Sequence, residues 1–217
     1  MGRLDCFYTK QIIKFLKKNF SNVKIFLSKD YKSKPNKTIL NWKGDYIFCF
    51  RSYYILKKKL INNAKNYSIN FHPGPPEYRG IGGVNFAILK GEKKYGCTSH
   101  LIDEEIDHGK ILNVIRFKIS KKDTIENILN KTYKFQYTQI IKVLKSVVKN
   151  SFEEKYIKPK KILKWNKRKY TRQQMLKLYN IPKNLEYEKF VKLIRATNTK
   201  RFKPYIKIFN KKFYLKN

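Results

Sequence analysis

With 217 residues, 41% hydrophobic and 15% aromatic, the chain carries enough apolar surface to build a core, which excludes a disordered polymer. Its formal charge of +36, from 51 basic and 15 acidic side chains, points to an anionic partner. Three cysteines without a C-x-x-C pair exclude a disulfide framework, and no run reaches the roughly 18 apolar residues of a membrane span. The opening MGRLDCFYTKQIIKFLKK has no signal-peptide apolar region, so the expectation is a soluble, cytoplasmic protein. Residues 1–150 carry 30 basic and 11 acidic side chains, and 151–217 carry 21 and 4, so charge is denser in the tail. The lysines alternate with Ile, Tyr, Phe and Asn; that mixture suits a coding sequence rich in A and T as well as a polyanionic ligand.

In chain order, Thr9–Asn19 reads as an amphipathic helix with Ile12, Ile13, Phe15 and Leu16 on one side. A strand over Val23–Leu27 and a lysine-rich loop over Lys29–Lys37 follow. Tyr46–Phe50 reads as a buried strand, Arg51–Tyr53 as a loop at its carboxyl edge and Ile55–Lys65 as a helix leading into a further strand, a βαβ unit. That further strand ends in SINFHPGPPEYRGIGG. Side chains alternate across a strand, so Asn70 and His72 face one volume while Ile69 and Phe71 face the other. Pro73 and the Gly-Pro-Pro after it end the ladder, which leaves the imidazole at the strand's carboxyl end, the edge where open α/β sheets bind ligands.

Val84–Lys90 reads as a helix opened by Gly80, Gly82 and Gly83, and amides at such a turn accept anions, which nominates Tyr78, Arg79 and Gly82 for a phosphate or carboxylate. Tyr95–Ile102 reads as a strand, Asp103–Gly109 as an acidic loop carrying Asp107, and Lys110–Ile119 as another strand. Cys97, His100 and His108 match no closed zinc site, and no metal is expected. Asp123–Asn150 keeps helical spacing behind an Asp-Thr cap. After it come KWNKRKYT with Trp165, a short helix near Tyr187–Ala196, and a hairpin over Tyr205–Leu215 around Asn210-Lys211. Residues 1–150 therefore form a core and 151–217 a small α+β appendage, whose exposed two-stranded sheet would gain from pairing with a second copy as a homodimer.

Asn-x-His before a Pro-rich loop, Tyr-Arg-Gly, and Asp-x-Gly after a strand resemble the formyltransferase family that draws its one-carbon unit from N10-formyltetrahydrofolate. NFHPGPPEYRGIGGVNFAI and YGCTSHLIDEEIDHGKIL look most like the enzymes that formylate amino groups on nucleotide-linked deoxysugars. The resemblance runs from Asp45 to Ile119 and again over WNKRKYT and LIRAT. It implies a Rossmann-like α/β sheet with flanking helices, a folate held by Arg51, Ser52 and Tyr53 and by the backbone at Asp103 and Glu104, and a dTDP-linked 3- or 4-amino-dideoxysugar as acceptor. Arg195 matches the family's Arg-Ala element and is nominated for substrate. Family members usually open with a strand and a glycine-containing turn, which the sequence does not display; the amino terminus reads as shortened.

An amide, a base of near-neutral pKa and a carboxylate are the parts needed for attack on a formyl carbon. His72 would take the amine's proton, Asn70 would donate to the oxyanion, and Asp107 would orient His72. Methionyl-tRNA and glycinamide ribonucleotide are other acceptors used with this motif. A basic nucleic-acid-binding module and a formyltransferase fold kept for assembly are readings without catalysis, and the intact trio argues against both.

Overall fold

The computed structural model describes residues 1–158, 163–200 and 202–216; residues 159–162 of the expected carboxyl-terminal appendage lie outside them. Six strands form the central sheet: β1 (Gly2–Arg3), β2 (Leu27–Ser28), β3 (Gly44–Phe50), β4 (Ala64–His72), β6 (Lys94–Leu101) and β7 (Ile111–Lys118), ordered β2-β1-β3-β4-β6-β7. The first four run parallel, β6 runs against both of its neighbours, and β7 returns to the direction of the first four. Between β4 and β6 lie β5 (Arg79–Gly80) and helix α4 (Gly83–Leu89).

Alternation on β3 and β4 sets the two layers. Phe50, Ile69 and Phe71 turn to one face, where α1 (Phe7–Asn19) and α5 (Ile125–Val148) cover them with Ile12, Ile140, Val143 and Leu144; Ile47 and Cys49 turn to the other, against Leu56 and Leu60. Burying each large aliphatic or aromatic side chain stabilises by about 1.5–3 kcal/mol, so this stripe dominates the fold. Helix α5 starts where expected: the Thr124 hydroxyl accepts from the Asn127 amide at 3.1 Å. Its buried Gln136 donates to the carbonyl of Phe71, which ties the helix to the strand end that carries His72.

Several expectations are corrected. An opening strand exists: Gly2–Arg3 pairs with both β2 and β3, because Gly2 fits close against Thr9 and Leu27. The strand expected over Val23–Leu27 shrinks to Leu27–Ser28, and the helix expected over Ile55–Lys65 is one turn, α3 (Lys58–Ile61), ended by two asparagines and then by β4. A short helix α2 (Lys37–Leu40), capped by Asn36, interrupts the lysine-rich stretch.

The segments after residue 150 pack back onto the sheet layer. β8 (Lys169–Tyr170) pairs with β5, α6 (Arg172–Lys177) opens on a Thr171/Gln174 capping box, and α7 (Tyr187–Thr197) lies on α4, where the Asn85 amide donates to the Ala196 carbonyl at 2.6 Å. The hairpin of β9 (Tyr205–Ile208) and β10 (Lys211–Tyr214) turns at Phe209-Asn210, one residue earlier than expected, with positive φ at both, and Phe209, Phe213 and Tyr214 stay exposed. Among the described residues no helix is long and apolar enough to cross a membrane.

Gly80 is a demanding position in this bridge: its φ is +94° and a Cβ would collide with the Tyr170 carbonyl. Gly80→Ala is expected to cost about 1–3 kcal/mol of stability, read as a lower midpoint in urea unfolding; an unchanged midpoint would mean the bridge is not formed.

Candidate active site

Strand β4 presents Asn70 and His72 on one side, as alternation requires, and β6 lies antiparallel beside it with Asn70 opposite His100 and His72 opposite Thr98. The proline loop after His72 is pinned from β6: Thr98 Oγ1 donates to the Gly74 carbonyl at 2.7 Å and the Tyr95 hydroxyl to the Pro73 carbonyl at 3.1 Å. The loop between β6 and β7 folds back over β4. At its tip Asp107 adopts φ +50°, a left-handed conformation that aspartate tolerates and that turns its carboxylate inward.

Four groups converge on that carboxylate. His72 Nδ1 stands 3.2 Å from Oδ2, the Gly80 amide donates to Oδ2 at 3.1 Å, and Asn70 Nδ2 and His100 Nε2 lie 3.4 and 3.5 Å from Oδ1. His72 is 4% exposed and Asp107 8%, so the pair is held away from water. Burial alone would raise the Asp107 carboxyl, but the two histidines more than offset it and hold it far below the ordinary carboxylate range. Burial likewise disfavours charge on His72, yet the Asp107 carboxylate and the Tyr78 carbonyl raise its pKa above the ordinary value.

Tautomers follow from the partners. His72 Nε2 lies 3.0 Å from the Tyr78 carbonyl, which only accepts, so Nε2 carries a proton and Nδ1 is the atom that titrates against Asp107. His100 Nδ1 faces the Leu101 carbonyl at 2.7 Å, so its Nε2 lone pair receives an Asn70 N–H at 3.0 Å. One Asn70 proton is thereby committed, and the second has only the long contact to Asp107.

Around this trio opens a cleft of about 790 Å³, lined by Arg51, Ser52, Tyr53, Asp103, Glu104 and Gly82 among others. The nominated folate residues therefore share the cleft with the trio, although two acidic side chains are spent elsewhere: Asp103 accepts from His108 at 2.7 Å and Glu104 pairs with Lys58 at 2.6 Å. Of the four nominated substrate contacts, Gly82 alone lines the cleft. The Tyr78 ring is buried and its hydroxyl donates to Glu92; Arg79 holds Glu105 and the Ile106 carbonyl, bracing the Asp107 loop. Arg195 donates to the carbonyls of Asp123 and Ser120, at the start of α5. None of these three lines the cleft, and each has polar atoms engaged within the chain.

Sequence reasoning missed His100 as a partner of the trio, and gave Trp165 no role there. The indole of Trp165 stands edge-on to His72 and His100, with centroids 5.7 and 5.0 Å away, and donates to the Gly109 carbonyl at 2.8 Å. Cys97 is sealed within β6, its thiol pushed up by burial to about 12; among the described residues no His, Cys, Asp and Glu cluster is arranged for a metal.

The profile of the formyl transferase family matches residues 11–144, which spans β3, β4, the Asp107 loop and most of α5. The bifunctional polymyxin resistance protein ArnA of Wigglesworthia glossinidia brevipalpis is 34% identical over 141 residues, 64% of this chain and 20% of that protein. A methionyl-tRNA formyltransferase of Buchnera aphidicola is 32% identical over 145 residues, 66% of this chain and 44% of that protein. The chain thus spans less than half the length of these curated relatives. Its fold is similar to that of the N-formyltransferase from Helicobacter canadensis, solved with folinic acid and dTDP-3-aminofucose, with a TM-score of 0.72 at 20% identity over 97% of this chain and 83% of that one. A matching profile over more than half of its residues, on a sheet that brings Asn70, His72 and Asp107 together, makes this chain a member of the formyl transferase family.

Proposed function

We propose that the chain transfers a formyl group from N10-formyltetrahydrofolate to the amino group of a nucleotide-linked sugar, a dTDP-linked 3- or 4-amino-dideoxysugar. The observation that carries this reading is the convergence of Asn70, His72 and Asp107 on the wall of one large cleft. A flat bicyclic ring with a hydrogen-bonding edge suits the part of that cleft between the 51–54 and 103–107 loops, where Cys49, Leu56 and Ile102 supply apolar walls beside exposed backbone. Bound there, N10-formyltetrahydrofolate supplies the formyl carbon.

The protein's part is proton handling and charge stabilisation. The Tyr78 carbonyl keeps Nε2 of His72 protonated, so a proton taken from the attacking amine lodges at Nδ1, is stabilised there by Asp107, and is passed to N10 as the bond between N10 and the formyl carbon breaks and tetrahydrofolate leaves. With the carboxylate beside it the imidazole is a stronger base than in water. Asn70 turns its second N–H from the long Asp107 contact toward the developing oxyanion. Trp165 and the β6 contacts keep water from the pair, which strengthens both interactions.

The likeness to the Helicobacter enzyme supports the amino-sugar acceptor. The relatives named as methionyl-tRNA formyltransferases, together with the charge of +36, favour tRNA as a second reading of the acceptor. Incubation with N10-formyltetrahydrofolate and a panel of dTDP-amino-sugars, charged initiator tRNA and glycinamide ribonucleotide should give a product 28 Da heavier, the mass of a formyl group less a hydrogen, only on an amino-sugar. Formylated tRNA would transfer the reading to that acceptor, and no product with any of them would refute formyl transfer.

A further inference from the structure

Asp107 holds a φ of +50°, a backbone conformation that costs an aspartate free energy and persists only where the surroundings over-determine it. Two side chains from distant parts of the chain grip carbonyls on either side of it. Before it, Arg79 Nε donates to the Ile106 carbonyl at 3.1 Å while Nη2 meets Glu105 at 3.0 Å. After it, the Trp165 indole N–H donates to the Gly109 carbonyl at 2.8 Å. The tip of the loop is thus held at both ends.

The two grips belong to one frame. Asn166, next to Trp165, donates its backbone N–H to the Pro76 carbonyl at 3.1 Å, in the loop that follows His72. Adjacent residues of a single segment therefore fix the spacing between the loop behind His72 and the loop that carries Asp107. Further along, Lys169 and Tyr170 pair with Arg79 and Gly80, so the backbone of Arg79 is tied to the same segment. The indole also stands nearly perpendicular to both histidine rings, at 76° to His72 and 90° to His100, an arrangement in which aromatic rings attract beyond the area they bury. Neither Trp165 nor Arg79 lines the cleft, so a substrate bound there meets neither.

We infer that Arg79 and Trp165 are positioning residues for formyl transfer, a two-sided clamp that keeps Asp107 Oδ2 against His72 Nδ1 at 3.2 Å. The reaction they serve rests on the formyl-transfer reading, whereas the clamp is a property of the pair itself. A catalytic group displaced by about 1 Å loses on the order of 10²-fold in rate. Binding of either substrate, made elsewhere in the cleft, does not depend on that distance. The clamp therefore belongs to turnover and not to affinity.

Steady-state kinetics, imidazole NMR and a thermal melt on the full chain test it, with Trp165→Phe, Trp165→Ala and Arg79→Lys beside the wild type. Trp165→Phe keeps a ring beside both histidines and loses the N–H; Arg79→Lys keeps a charge for Glu105 and loses the fork that also reaches Ile106. Each is expected to lower kcat by about ten- to a hundredfold with KM for both substrates unchanged, and Trp165→Ala to lower it further. Below the His72 midpoint, the proton that Nδ1 shares with Asp107 gives a separate low-field signal while the pair is short and dry; it should be sharp in the wild type and broadened by exchange with water in all three variants. Lower melting temperatures with wild-type kcat and a sharp signal would make these residues supports of the fold alone and overturn the clamp. So would a raised KM at unchanged kcat, which marks a substrate contact, or a wild type that lacks the signal. If Trp165→Ala does not fold, the two milder variants decide. Should the signal broaden as expected while no acceptor is formylated by the wild type, the clamp stands and the formyl-transfer reading is what fails.

Discussion

His72→Asn is expected to leave a folded protein whose kcat/KM for formyl transfer is lower by about 10²–10⁴-fold, the usual contribution of a positioned base. The asparagine amide reaches only as far as Nδ1 does, so it can donate to Asp107 while the Tyr78 carbonyl loses its partner; circular dichroism checks that the strand end holds. What is lost is the lone pair at Nδ1. The same argument fixes the pH profile. Because Nδ1 must be unprotonated to accept the amine's proton, and because the pKa of His72 is raised, wild-type kcat/KM should climb with pH through a midpoint above 6.5. Full turnover in the variant would remove His72 from the chemistry. A rate that instead falls as pH rises through this midpoint would mean the imidazolium stabilises the oxyanion and another group takes the proton.

Asp107→Asn should be as severe, about 10²–10⁴-fold in kcat/KM, for a different reason. The amide keeps the size of the side chain but removes the charge that four neighbours address. Without it, only the Tyr78 carbonyl opposes the burial that favours the neutral ring, so the titration of His72 should move below the wild-type midpoint. Imidazole nitrogen chemical shifts followed against pH report that move directly. An unmoved midpoint would show that Asp107 does not govern His72, whatever the activity does. The pair also bears on stability, with a sign that follows from both shifts. The raised His72 contributes most below its unfolded pKa, near 6.5, and is lost as pH rises; the depressed Asp107 contributes above its unfolded value, near 4, and is lost as pH falls.

The part of the site that could be read in advance is the part governed by local rules. Asn70 and His72 share a face because a strand alternates, and His72 ends its strand because proline follows. Asp107 stands out by its motif, and the fold places its carboxylate within 3.4 Å of both side chains. His100 escaped because its role depends on register: only antiparallel pairing of β6 on β4 sets it opposite Asn70, and no spacing in the chain encodes that. Trp165 escaped because it returns to the histidines from a segment 93 residues past His72 in the numbering. Arg79 and Arg195, nominated for substrate, lie off the cleft for a third reason. An arginine that braces a loop and one that grips a ligand look alike in sequence, and only their filled hydrogen bonds distinguish them. The opening strand was overlooked because two residues are too few to alternate, although pairing on both sides suffices to seat them.

Gly80 has a double attachment: its amide holds the Asp107 carboxylate while its neighbour bonds with Tyr170, in the portion of the chain that follows α5. In evolutionary terms this makes the molecule poorly modular. A lineage that reshaped its later residues to accept a new compound would disturb the proton-transfer machinery through two consecutive peptide units, so specificity and turnover should have drifted together rather than been exchanged as independent cassettes.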